Sequence, residues 1–167
     1  MTEQNNENIR LKIENNLAAA LSGDMLKNAQ DFVVYLLENG MMPDPIQETS
    51  IRFNYMGEMT CIVIFFKDVQ NPSGIWFICD TPIREHDGFP LDEDLQEFAR
   101  TNVRICRGEC GCPDWPRGGD KTIFGKEYKS VCSSEIGFTN PDADALGKVK
   151  KLMEYWMLVI ADSKKKQ

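Results

Sequence analysis

The chain has 167 residues, of which 42% are hydrophobic and 27% are charged, and its formal net charge is −7 at pH 7. This length and composition predict a single α+β domain over residues 1–167, and the acidic balance argues against nucleic acid, whose phosphates are bound mainly by surplus Lys and Arg. The polar N-terminal segment does not resemble a signal sequence, and no apolar run approaches the roughly 20 residues of a membrane helix, so we expect a cytoplasmic protein with no membrane partner.

Two amphipathic helices are predicted at the start of the chain. Apolar residues recur every three or four positions up to Leu21, and the same spacing resumes at Met25. We expect the first helix to end at Gly23. The second is expected to run from an Asp24 cap to Gly40, where a left-handed residue would close the last turn.

An antiparallel sheet is predicted next. Pro43 and Pro45 block helix formation and mark a connection. Three runs rich in β-branched and aromatic residues have the pattern of strands: residues 51–55, 59–66 and 75–79. In the second run both the odd-numbered and the even-numbered positions are apolar, which is typical of a central strand covered on both faces. Ile62 and Val63 are therefore both expected to be buried. Short connections favour a three-stranded meander.

The second half of the chain is expected to contain two further helices around a cysteine-rich loop. One helix begins near Asp92, whose acidic neighbours suit the helix dipole. The other covers residues 140–161, with Asn140 as cap and Pro141 in the first turn. Residues 105–139 between them are predicted to form a metal-binding loop that packs against the C-terminal helix.

Four of the six cysteines fall within this loop: Cys106, Cys110, Cys112 and Cys132. Six cysteines in a reducing compartment are a poor disulfide framework, whereas four clustered thiolates match the tetrahedral shell of a structural zinc ion. The residues from 104 to 129 include six basic and four acidic side chains, so the loop is basic within an acidic protein. Basic neighbours offset the negative charge of a zinc–thiolate cluster, and the sequence therefore predicts structural zinc as the cofactor.

Other interpretations of these cysteines remain open. The same basic neighbours would activate an exposed thiol, so a redox or other cysteine enzyme acting through Cys110 or Cys112 is an alternative. A second alternative is a zinc-stabilised protein that binds nucleic acid through the basic loop, against the overall charge. Cys61 and Cys79 lie in predicted strands, where cysteine commonly acts as a small buried hydrophobe.

Several segments of this half are shared with one family. The C-x3-C-x-C cluster from Cys106, the KTIFGKE run at 121–127, the pair Val131-Cys132 and the NPDA run at 140–143 resemble a family of small bacterial proteins of uncharacterised function. The resemblance implies no reaction. It implies that the four cysteines act as one unit, to which residues 124–126 also belong.

The sequence contains no catalytic set that we recognise, and no catalytic residue is predicted. His86 is the only histidine and stands in a polar loop without an associated nucleophile. Three aromatic residues, Tyr55, Trp76 and Trp115, are candidates for a ligand pocket between the sheet and the cysteine loop, although packing in the core is the common use of such residues. We therefore expect a binding or sensor module for a small molecule or protein partner.

Overall fold

A computed structural model describes residues 3–80, 90–107 and 118–166 of the chain. Four helices and seven strands occur in these ranges: α1 (Glu3–Ala20), α2 (Gly23–Glu38), β1 (Met42–Ile46), β2 (Ser50–Tyr55), β3 (Glu58–Phe66), β4 (Ile75–Asp80), α3 (Glu93–Thr101), β5 (Val103–Ile105), β6 (Gly119–Ile123), β7 (Lys126–Thr139) and α4 (Ala143–Lys165). The α+β class predicted from the sequence is confirmed. None of the described helices is long and apolar enough to cross a membrane.

The strands form one antiparallel sheet in the order β1-β2-β3-β4-β7-β5. The seventh strand, β6, pairs with the N-terminal part of β7, from Lys126 to Val131. The sheet is thus larger than the predicted three-stranded meander. Two of the missed strands, β6 and β7, form a hairpin, and β7 connects the two halves of the chain by pairing with β4. The range 105–139 was predicted to be a loop, and its described part is instead built largely from strands.

The helices pack against one face of the sheet. Alternate residues of β3, Cys61, Val63 and Phe65, are completely buried in the core, whereas Ile62 between them is only partly buried. The expectation that Ile62 and Val63 are both buried is therefore correct for Val63 alone. Antiparallel sheets commonly leave one face toward water, and here the apolar residues of that face are half-covered.

Helix caps differ from the sequence predictions in two places. Ser22, rather than Asp24, takes the N-cap position of α2. Asp142, rather than Asn140, caps α4, since its carboxylate accepts a hydrogen bond from Ala145 N at 2.8 Å. The helix predicted to begin near Asp92 is α3, and Asp92 caps it, since its side chain accepts a hydrogen bond from Leu95 N at 2.9 Å.

Candidate metal centre

Pairing of β5 with β7 brings the first and last of the four candidate cysteines together. Ile105 lies opposite Val131, and Cys106 N donates a hydrogen bond to Ser130 O at 2.7 Å. Cys132 follows Ser130 by two residues in β7, so the backbones of Cys106 and Cys132 lie near each other at this edge of the sheet. Residues 26 positions apart in the sequence are thus brought into the same region of the fold.

The other two candidate cysteines, Cys110 and Cys112, lie outside the described residues. Cys132 is buried with 6% of its surface exposed, and Cys106 is partly exposed. No group of three or more Cys, His, Asp or Glu side chains forms a metal-binding cluster within 3–80, 90–107 and 118–166. Zinc needs four ligands, and the described residues supply two of the four predicted ones.

The segment of β7 around Cys132 is irregular. Val103 of β5 lies opposite Ile136 and Ile105 lies opposite Val131, so Arg104 alone faces the four residues 132–135. This surplus is a large bulge, which bends the strand and interrupts its backbone ladder. Side chains then have to hold the segment in place.

Arg104 makes two of the contacts that hold this bulge. Its Nη1 donates to Ser134 Oγ at 2.7 Å and to Cys79 Sγ at 3.2 Å, and the Ser134 hydroxyl lies 4.0 Å from Cys132 Sγ. Cys79 was predicted to be a small buried hydrophobe, and it is buried with 6% of its surface exposed. Because Trp76 and Ile78 of the same strand face the core, Cys79 faces the other side of the sheet, against the guanidinium.

A glycine gives Arg104 the space it occupies. Gly137 is the register partner of Cys79, and a Cβ atom built on it would lie 2.5 Å from Arg104 Cδ. Any larger residue at this position would displace the arginine side chain. This role of Gly137 could not be predicted from the sequence, because it depends on the register between β4 and β7.

Ion pairs neutralise part of the basic excess that the sequence predicts near the cysteines. Lys121 Nζ contacts the carboxylate of Glu135, which is only 4% exposed. Lys129 Nζ contacts Asp120 Oδ2 at 2.6 Å, and this bond, together with that from Ser130 N, lowers the pKa of the Asp120 carboxyl. Arg104 differs from these lysines, since its described contacts are to a thiol and a hydroxyl.

The aromatic residues predicted to bind a ligand do not form a pocket in the described part of the chain. Trp76 is completely buried and packs against Phe32, with ring centroids 6.3 Å apart. Tyr55 packs against the core from the end of β2, and Trp115 and His86 lie outside the described residues. This arrangement corresponds to the core-packing interpretation that the sequence left open for Trp76.

A cavity of about 390 Å³ lies elsewhere, between α1, α2 and the start of β1. Its walls are mainly apolar and include Ile9, Val34, Leu37 and Met41, together with the charged residues Glu7, Arg10 and Glu38. This cavity could not be predicted from the sequence, because amphipathic helices that pack fully and helices that leave a gap have the same periodicity.

No protein-family model, no curated protein and no solved structure matches this chain. The resemblance of residues 106–145 to a bacterial family therefore stays a prediction.

Proposed function

We propose that this protein is a binding or sensor module whose second half is held together by a structural zinc ion on Cys106, Cys110, Cys112 and Cys132. The observation that supports the proposal is the pairing of β5 with β7, which brings Cys106 and Cys132 to one end of the sheet. The C-x3-C-x-C spacing connects the two remaining ligands to Cys106 through a short stretch of chain.

A zinc ion in this position would act on structure rather than on chemistry. Four protein ligands close the coordination shell, so water or substrate has no open position at the metal. The ion would join β5 to β7 where the bulge weakens their backbone pairing. A reducing compartment such as the cytoplasm would keep the thiolates available for the metal.

The binding role is supported by the cavity between α1, α2 and β1 rather than by the predicted aromatic residues. A volume of about 390 Å³ falls in the usual range for small-molecule sites, which are also mainly apolar. Met41 and Met42 line it, and methionine side chains adapt their shape to different ligands. A small apolar molecule is the partner that such walls would accept.

The zinc proposal is tested by the metal content of protein purified without added metal. We expect one zinc per chain in the wild type and in Cys61→Ala, whose substitution lies in core strand β3, and a lost or weakened complement in Cys106→Ser and Cys132→Ser. A full complement in both cluster variants would contradict the proposal. Fast alkylation of a single cysteine in metal-free native protein would favour thiol chemistry instead.

A further inference from the structure

Within the described residues, the Arg104 side chain contacts a thiol and a hydroxyl but no carboxylate. Arg104 is the single residue of β5 opposite the bulge at 132–135, and its guanidinium bridges Ser134 of that bulge and Cys79 of β4. A guanidinium carries its positive charge at all ordinary pH values, and a carboxylate is its usual partner. Because this protein has many exposed carboxylates, the contact of Arg104 with a thiol calls for an explanation.

Resting on the zinc site proposed above, we propose that Arg104 is a positioning residue for that site. It holds the bulged segment that presents Cys132, and it places a positive charge beside the thiolates. Four thiolates and one zinc ion carry a formal charge of −2, which a nearby cation offsets. Cys79, which is not among the four proposed ligands, contacts the same guanidinium nitrogen at 3.2 Å.

Two features of the surroundings support this role. Ser134 Oγ lies between Arg104 Nη1, at 2.7 Å, and Cys132 Sγ, at 4.0 Å, so the arginine reaches the candidate ligand through one hydroxyl. Gly137 leaves room for the side chain to cross β7. Groups that contact metal ligands in this way commonly change metal affinity by about 10- to 100-fold when they are replaced.

The test is a chelator competition that measures zinc affinity in matched variants. Arg104→Gln is expected to bind zinc about 10- to 100-fold more weakly than the wild type. Arg52→Gln, at an exposed position of β2, should match the wild type. Arg104→Lys keeps the charge but loses the planar fork, and its affinity should lie between those of the wild type and Arg104→Gln. A lysine variant no better than the glutamine variant would overturn the electrostatic role.

Milder changes keep the test decisive if Arg104→Gln folds poorly. Ser134→Ala removes the hydroxyl between Arg104 and Cys132 and should weaken zinc binding several-fold. Gly137→Ala should displace the Arg104 side chain and also weaken zinc binding. The matched control is Gly147→Ala in α4, where an added Cβ meets no neighbouring atom, and this variant should bind zinc like the wild type. The absorption spectrum of Co²⁺ bound in place of zinc should change in the Ser134 and Gly137 variants, a result that lost fold stability alone would not produce.

The outcomes separate this inference from the function on which it rests. One tightly bound zinc in the wild type with equal affinity in Arg104→Gln and Ser134→Ala would overturn the positioning role and leave the zinc site standing. A wild type that binds no zinc would overturn both. Loss of zinc from Cys79→Ala to the same extent as from Cys132→Ser would make Cys79 a ligand, and would also overturn the role assigned to Arg104.

Discussion

Replacing Asn140 should measure how strongly the start of α4 is attached to the sheet. Asn140 Oδ1 accepts a hydrogen bond from Trp76 N at 2.9 Å, and Asn140 N donates to Trp76 O at 2.8 Å. Its φ of 44° lies in the left-handed region, which asparagine tolerates better than most residues. The same side chain therefore satisfies a backbone donor of a completely buried tryptophan and suits a strained backbone.

The expected cost of Asn140→Ala has two parts. Leaving the Trp76 N–H without its partner costs about 1–3 kcal/mol. Alanine in the left-handed region adds about 1 kcal/mol. The two parts together predict a loss of about 2–4 kcal/mol in the free energy of unfolding, a large fraction of the stability of a typical domain.

Two further substitutions separate these contributions. Asn140→Gly adopts the positive φ easily and loses only the hydrogen bond, so it should cost less than alanine. Asn140→Asp retains the acceptor and should be the mildest of the three. Equilibrium urea unfolding, at fixed zinc concentration and with an unchanged dependence on urea, gives the comparison. An alanine variant as stable as the wild type would refute the hydrogen-bond argument, and equal losses for glycine and alanine would refute the backbone-strain argument.

The remaining predictions concern pH, the sheet and the metal. Burial, followed by the Glu154 carboxylate, raises the pKa of the Tyr35 phenol, so its stabilising contribution is complete below the ordinary value near 10 and is lost as the pH rises above it. Between about pH 9 and pH 11, the urea midpoint of Tyr35→Phe should therefore fall less steeply than that of the wild type. Equally steep falls in the two proteins would contradict the stabilising role of the protonated phenol. Val63→Asp places a charge in the core and should abolish folding, as measured by circular dichroism. Arg52→Glu changes an exposed residue and should fold normally. Equal loss of folded structure in the two variants would refute the orientation of β2 and β3. Removing zinc should speed amide hydrogen exchange in β5, β6 and β7. The amides of β2 and β3 should stay protected, because those two strands pair with each other away from Cys106 and Cys132. Equal loss of protection in all these strands would contradict a local role for the metal.

Periodic segments with ordinary turns were predicted well from the sequence. The structure places β2, β3 and β4 within one residue of their predicted ends, and α3 begins next to Asp92, as predicted. In these elements the side-chain pattern repeats without interruption, and local signals suffice.

Strands with an interrupted pattern were missed. Pro43 and Pro45 were predicted to mark a connection, yet they lie in β1. This strand is at the edge of the sheet and pairs only with β2, where a proline costs no ladder hydrogen bond on its open side. The residues that β7 contributes to the hydrophobic core, Val131, Ile136 and Phe138, are spaced by five and then two positions. The bulge at 132–135 causes this spacing and hides the alternation by which a strand is recognised.

The contacts around the cysteines follow from strand order, which the sequence does not encode locally. β7 pairs with β4, and the register that sets Cys79 opposite Gly137 also opens a path for Arg104 across the sheet. Single-residue patterns could indicate that Cys79 is buried but not on which face, or beside which charge. Because a shift of one residue in this register would carry Cys79 to the other face and remove the gap over Gly137, the position of Arg104 depends on the same pairing that holds β7 to the first half of the chain.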